Sequence, residues 1–253
     1  MLKPTERFSD RVSNYIKYRP SYPVELIDTL TSKCRLDSQS IIADIGSGTG
    51  KFSKLLLDRN YRVIGVEPNN EMRQTAEIQF SKLDNFTSIE GTSEKTNISN
   101  SSVDLVTAAQ AFHWFNRKET RKEFERILKT IGYVALIWNQ RNLDVPFQRE
   151  YDQMLREYST EYNTVNHMNF TIEDFSDFYY PGEFTTYKFT NTQHFDLDGF
   201  LGRMQSSSYT PKIGTKEYDI LIKVAESLFS EFENEGLIRF EYTTFLYLGQ
   251  FIR

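Results

Sequence analysis

Two carboxylates and a run of glycines between residues 44 and 67 have the types and spacing to hold a small polar ligand. The segment Asp44-Ile45-Gly46-Ser47-Gly48-Thr49-Gly50 lies between an apolar run and an amphipathic one. Glycines at these positions let the backbone turn sharply and approach a ligand with no Cβ in the way. N–H groups at the start of the following helix favour a polar or anionic group. A dinucleotide fingerprint, G-x-G-x-x-G, requires glycine at 51. That position is Lys51, and the pattern is G-x-G-x-G. Asp44 sets a negative charge beside the loop, which suits a cationic amine better than a pyrophosphate. Glu67 closes the next apolar run, where a strand-end carboxylate can accept hydrogen bonds from both hydroxyls of an adenosine ribose.

These residues need βαβ units to position them, and the pattern from about 40 to 140 supplies those units. Ile41–Ile45 reads as a buried strand, followed by Phe52, Leu55 and Leu56 at helical spacing. Strands are expected at 62–67, 86–90 and 103–108, with Met72 and Ala76 marking a helix between the first two. Phe124, Ile127 and Leu128 predict a helix that Gly132 ends before a strand at 133–138. Beyond Asn139 the expected elements are a helix over 146–158, a strand over 184–193, and helices over 197–204 and 218–233. Ile238, Phe240 and Tyr242 alternate with polar residues as a strand does. One α/β domain with a helical cap accounts for this order better than two independent domains.

Composition narrows the function classes. With 253 residues the chain forms one large domain or two small ones, and 39% hydrophobic with 26% charged residues is an ordinary globular mixture. No apolar run approaches the ~18 residues that cross a bilayer, and the first ten residues lack the apolar stretch of a secretory signal. A single cysteine, Cys34, forms no internal disulfide, which fits a reduced, cytoplasmic setting and a packing role. Three histidines and one cysteine leave little material for a metal site, and none is expected. A net charge of -5 argues against a broad nucleic-acid surface.

Four ordered stretches carry a family resemblance: D-I-G-S-G-T-G from Asp44, V-I-G-V-E-P from Val63, E-G-T-S-E-K-T from Glu90 and S-V-D-L-V-T-A-A-Q-A-F-H-W-F from Ser102. Together they resemble the successive motifs of class I S-adenosylmethionine-dependent methyltransferases, nearest to the small-molecule subgroup that includes trans-aconitate methyltransferase. The opening R-F-S-D-R-V-S-N-Y-I-K-Y-R-P-S-Y-P resembles the lid of that subgroup. The resemblance implies a Rossmann-like, doubly wound seven-stranded sheet in order 3-2-1-4-5-7-6, with the last strand antiparallel. It divides a single domain into a lid and first helix (1–35), a cofactor-binding core (36–140) and a cap with C-terminal strands (141–253). S-adenosylmethionine is the implied cofactor and S-adenosylhomocysteine its product.

Roles follow position by position from the same resemblance. Asp44 lies near the methionine amine, Gly46, Ser47, Gly48 and Gly50 form the loop, and Glu67 with Pro68 meets the ribose. Met72 packs on adenine, while Thr92 and Ser93 reach its edge. Members commonly carry Asp at the Thr92 position, which weakens the expected contact to the adenine amino group. Gln110 sits beside the methionine portion, and Arg19 pairs with its carboxylate in bidentate fashion. Tyr15, Tyr18, Phe112 and Trp114 offer aromatic faces to a sulfonium.

His113 is the candidate base, able to take a proton from a hydroxyl or amine acceptor. A carboxylate acceptor needs none. The aromatic run Phe170, Phe175, Phe178, Tyr179, Tyr180, Phe184, Tyr187 and Phe189 packs cap on sheet. A few of its members, with Arg203, Ser206, Ser207, Ser208 and Tyr209, are expected to line an acceptor pocket, Arg203 selecting a carboxylate. The expected reaction is in-line methyl transfer to a small-molecule acceptor, in a monomer or homodimer without nucleic-acid or membrane partners. Alternatives are a tRNA or protein methyltransferase, a non-catalytic S-adenosylmethionine binder, and a nicotinamide enzyme, the last disfavoured by Lys51.

Overall fold

A computed structural model describes residues 12–159, 162 and 172–252. Seven strands form one sheet in the order β3-β2-β1-β4-β5-β7-β6, as the resemblance implies. The strands are β1 Ile41–Ile45, β2 Arg62–Val66, β3 Phe86–Ile89, β4 Val103–Ala109, β5 Leu128–Arg141, β6 Phe184–Phe195 and β7 Ile238–Gly249. The first five are parallel, and β7 runs antiparallel between β5 and β6. Helices α1 Val12–Tyr18 and α2 Val24–Cys34 precede the sheet. Then α3 Lys51–Leu57, α4 Asn70–Gln79 and α5 Arg117–Ile127 connect its strands. Beyond β5 come α6 Pro146–Tyr158, α7 Ile172–Tyr179, α8 Leu197–Gln205 and α9 Lys216–Phe232.

Neighbouring residues on each strand feed opposite cores, because strand side chains alternate between faces. Ile42, Leu105 and Ile137 pack with Leu26, Leu30, Leu56 and Phe80 on the α2–α3–α4 side. Ala43, Val106 and Leu136 pack with Phe124 and Ile127 of α5 and with Phe175, Phe178 and Tyr179 of α7 on the other. A third core forms the cap, where Phe147 and Tyr151 of α6 meet Phe200 of α8, Phe229 of α9 and Phe240 of β7. Single side chains set the helix starts: Asn69, Asn116, Asp196 and Thr215 each accept a backbone N–H at the first turn of α4, α5, α8 and α9.

Two expectations need correction. Gly132 does not end a helix: α5 stops at Ile127, because Leu128 is extended and pairs with Val103. Gly132 lies inside β5, where a Cβ would come within 2.6 Å of the Leu128 side chain. The described members of the aromatic run do not border the cavity at the strand ends either. Phe175, Phe178, Tyr179 and Phe184 pack on the sheet with Phe112 and Tyr247, the Phe175 and Tyr247 rings stacking at 4.0 Å. Phe170 lies outside the described residues, as does the lid before residue 12. Cys34 is half-buried against the first core, and burial pushes its thiol up to about 12, consistent with packing.

Phe240 joins β7 to the cap, fully buried among Phe147, Tyr151, Phe195 and Phe200. Replacing it with alanine should lower the free energy of unfolding by about 3–5 kcal/mol in urea melts. A loss under about 1 kcal/mol would contradict this packing.

Candidate functional site

Parallel strands place the C-terminal ends of β1, β2, β3 and β4 on one side, and the cavity of about 400 Å³ opens there. From the β1 end it is lined by Asp44, Gly46, Ser47 and Gly48; from the β2 end by Glu67, Pro68, Asn69 and Met72. Thr92, Ser93 and Glu94 follow β3, and Gln110, His113, Trp114 and Phe115 follow β4. The opposite wall comes from Arg19 before α2, from Arg203, Ser208 and Tyr209 at α8, and from Asn139, Arg141 and Tyr242 on β5 and β7.

The glycine loop is held by hydrogen bonds from both sides. Gly46 and Ser47 N–H groups donate to the Val66 carbonyl at 2.8 and 3.1 Å. Gly48 N–H donates to Glu67 Oε2 at 2.9 Å, and Asn69 N–H donates to Oε1 at 2.8 Å. Glu67 therefore ties the loop to the start of α4. Two lone-pair directions of the carboxylate remain for a ligand. Gly46 is required twice over: its φ is +70°, and a Cβ would stand 2.6 Å from the Ala111 side chain.

Asp44 is the deepest group of the site. Ser53 Oγ donates to Oδ2 at 2.6 Å and Thr107 Oγ1 donates to Oδ1 at 3.0 Å. Burial pushes its carboxyl up to about 6, with these two hydroxyls pulling the other way. Burial also raises Glu67, against the two backbone N–H bonds. Gln110 occupies a left-handed backbone position, φ 56°, and its amide nitrogen donates to the Asn139 carbonyl at 3.0 Å. Its amide oxygen is buried without a hydrogen-bond partner among the described residues. Such an acceptor is costly until a donor arrives. Asp44, Glu67 and Gln110 thus form a wall that accepts hydrogen bonds, the chemistry of a ligand with hydroxyls and an ammonium.

The other wall donates. Arg19 Nη2 reaches the Ser206 carbonyl and Ser207 Oγ, both at 3.2 Å. Arg203 is buried, with long contacts at 3.4 Å to Tyr242 Oη and 3.5 Å to Ser207 Oγ, and it lies over the Phe240 ring. No carboxylate lies within ion-pair distance of Arg203 among the described residues. Arg141, by contrast, pairs with Asp152 at 2.7 Å and bonds the Tyr162 hydroxyl. The summed charge shows in a neighbour: burial works to raise the Tyr209 phenol, yet Arg141, Arg19 and Arg203 bring it below its ordinary value.

Of the residues singled out from sequence, Arg19, Asp44, Gly46, Ser47, Gly48, Glu67, Pro68, Met72, Thr92, Ser93, Gln110 and His113 all line this cavity. Tyr18 and Gly50 do not. The Tyr18 ring packs edge-on against Phe195 at 6.2 Å, and Gly50 sits against Phe80, where a Cβ would approach to 2.4 Å. Trp114 lines the cavity, whereas Phe112 is buried in the sheet core. Ser206 and Ser207 stand behind the wall as partners of Arg19. Sequence reasoning missed Asn139, Arg141, Tyr242 and Glu94. The first three come from strands whose inward alternation is visible but whose proximity to the loop depends on sheet order. Glu94 accepts the Asn116 N–H at 2.9 Å, next to Thr92 where a carboxylate was found lacking.

His113 is a poor base in this setting. Its ring is buried beside Trp114 and Trp138. Burial, then the charge of Arg19, lowers it to about 3. A base works best with a pKa near the operating pH, and burial of this kind works against the expected role of His113. The unfolded pKa is about 6.5, so the stability from burying neutral His113 is complete above that value. It is lost as pH falls toward 3. The His113 ring resonances should stay in the neutral form from pH 8 to 5, and His113→Gln should flatten this part of the acid sensitivity. A midpoint near 6.5 by NMR would contradict the burial.

Comparison with known proteins bears on the same segment. A methyltransferase domain model matches residues 43–136, from β1 into β5. An uncharacterized methyltransferase-like protein of Schizosaccharomyces pombe is 34% identical over 152 residues, 60% of this chain and 58% of that one. An uncharacterized methyltransferase of Mycobacterium tuberculosis is 32% identical over 148 residues, 58% of each chain. The chain thus spans less than two thirds of the length of these relatives. A crystal structure of a SAM-dependent methyltransferase from Geobacter sulfurreducens, in complex with S-adenosyl-L-homocysteine, superposes with a TM-score of 0.58 at 16% identity over the whole of both chains, a likeness of fold. Residues 43–136 are therefore similar to the methyltransferase domain family, and they are set in a Rossmann-like seven-stranded α/β fold.

Proposed function

We propose that this chain transfers the methyl group of S-adenosylmethionine to a small, carboxylate-bearing acceptor. The observation that carries the cofactor assignment is the accepting wall. Glu67, Asp44 and the orphaned Gln110 oxygen offer acceptors where a ribose diol and an ammonium supply donors. A pyrophosphate would meet two buried carboxylates there, which is unfavourable. In this reading Met72 and Pro68 take the adenine side, with Thr92, Ser93 and Glu94 at its edge, and Arg19 takes the amino-acid carboxylate.

A sulfonium methyl is already activated, so the bound cofactor supplies the electrophile and the chain supplies positioning. Bringing an acceptor atom to about 3 Å from the methyl, in line with the leaving sulfur, accounts for much of the acceleration. The donating wall gives the acceptor its orientation. Arg203, buried and without a carboxylate partner among the described residues, fits an ionised acceptor, with Tyr242 and Tyr209 beside it. Such an acceptor brings its own nucleophile. This agrees with the low basicity of His113, which then serves to shape the wall and exclude water.

Calorimetry with S-adenosylhomocysteine, NAD and NADP tests the cofactor assignment. Binding is expected for the first alone. Glu67→Ala should weaken it by at least ~1 kcal/mol, the ribose bonds and the loop tether being lost together. Nicotinamide binding without S-adenosylhomocysteine binding would overturn the proposal.

A further inference from the structure

Lys51 is the residue that breaks the dinucleotide spacing, and the cofactor reading gives it no task. It opens α3 directly behind the glycine loop. Its ammonium donates to the carbonyls of Ile16 and Arg19, each at 2.9 Å. Both carbonyls stand at the C-terminal end of α1, where a helix leaves carbonyls without intrahelical donors. A lysine is a favourable partner there. Here it arrives from the opposite half of the molecule.

Otherwise α1 rests on the cap side. The Tyr18 ring lies against Gly202 of α8, so closely that a Cβ at 202 would stand 2.1 Å from it. Asn14 donates to Gln205 of α8 at 3.2 Å, and Gln193 of β6 donates to the Tyr18 carbonyl at 3.2 Å. The strap formed by α1 and the residues after it is thus packed on the acceptor side. Toward the cofactor side it is held by the two Lys51 bonds and the edge contact of Tyr22 with Phe52 at 5.1 Å, while Asn139 of β5 and Asn191 of β6 donate to the Ser21 carbonyl at 3.0 and 2.7 Å. Arg19, whose carbonyl Lys51 holds, projects its guanidinium into the cavity.

The placement has a cost that a packing residue would avoid. Burial first, then the charges of Arg19 and Arg203, bring the Lys51 ammonium down to about 8. An apolar side chain of similar length, such as methionine, would fill the space without that penalty, but it could not donate to the two carbonyls. The two bonds are what the charge provides.

We propose that Lys51 is a positioning residue: by holding the Ile16 and Arg19 carbonyls it draws α1 across the cavity and sets the Arg19 guanidinium over the ligand. This rests on the proposed cofactor assignment, in which Arg19 meets the carboxylate of the amino-acid portion. Lys51 also borders the cavity, so an effect through Arg19 has to be separated from any direct contact with the ligand.

A double-mutant cycle read by S-adenosylhomocysteine calorimetry tests it, with hydrogen exchange over residues 12–22 as a ligand-free readout. Lys51→Met should weaken binding at least about fivefold, with Lys51→Arg, which keeps charged donors, restoring most of it. In an Arg19→Ala background, Lys51→Met should cost little more, because it acts through that guanidinium. Exchange over 12–22 should accelerate in Lys51→Met while the thermal midpoint holds. Equal costs with and without Arg19, or unchanged affinity in Lys51→Met, would overturn the inference. Should the unaltered protein fail to bind S-adenosylhomocysteine, the cofactor assignment falls by itself. Unchanged exchange in Lys51→Met would then still decide against the strap.

Discussion

The Glu67 carboxylate is the constraint on which the site depends. One oxygen takes the Gly48 N–H and the other takes the Asn69 N–H, so a single side chain fixes the glycine loop after β1 and the helix start after β2. Apart from it, the loop has the Gly46 and Ser47 bonds to the Val66 carbonyl and its own turn bond from Gly50 N–H to the Ser47 carbonyl. The carboxylate is buried, which costs free energy and lifts its pKa, and the two N–H bonds offset part of that cost. A group held in this way is rigid before any ligand arrives, and its remaining lone pairs are aimed by the tether.

Around this tether the cavity divides into two chemical halves. Sheet ends supply the accepting half, where Asp44 and Gln110 add to Glu67. The strap, cap and late strands supply the donating half, with Arg19, Arg203 and Arg141. Arg141 pairs with Asp152, which also pairs with Arg156. In the proposed reading, the positive charge of Arg203 on this side suits an acceptor that arrives ionised. A buried cation of this kind is tolerable only when an anion completes it.

Much of this was legible in the sequence, because the informative residues are local. Asp44 through Gly50 and Glu67 each sit at the end of a short apolar run, so a strand assignment places their side chains directly. β6 and β7 were legible in part, as a strand-like stretch over 184–193 and an alternation from Ile238 to Thr243, while the 3-2-1-4-5-7-6 order came from the family resemblance. What the sequence could not display was convergence from afar. Arg141 and Tyr242 are 101 residues apart, yet they are paired across β5 and β7. Lys51 looked like a mere departure from a pattern, since its partners Ile16 and Arg19 lie more than thirty residues away. Gly50 and Tyr18 fell in the right motifs but face away from the cavity, one filling against Phe80 and the other against Gly202. The crowding of Phe and Tyr near residue 180 reflects the sheet core under α7 and says nothing about the acceptor.

The most direct test is transfer of labelled methyl from S-adenosylmethionine to a panel of small carboxylic acids, phenols, amines and bulk tRNA. The account predicts label in one or more of the carboxylic acids, lost when Arg203 is replaced by Met. Label in tRNA or neutral amines, with none in any carboxylate, would contradict it.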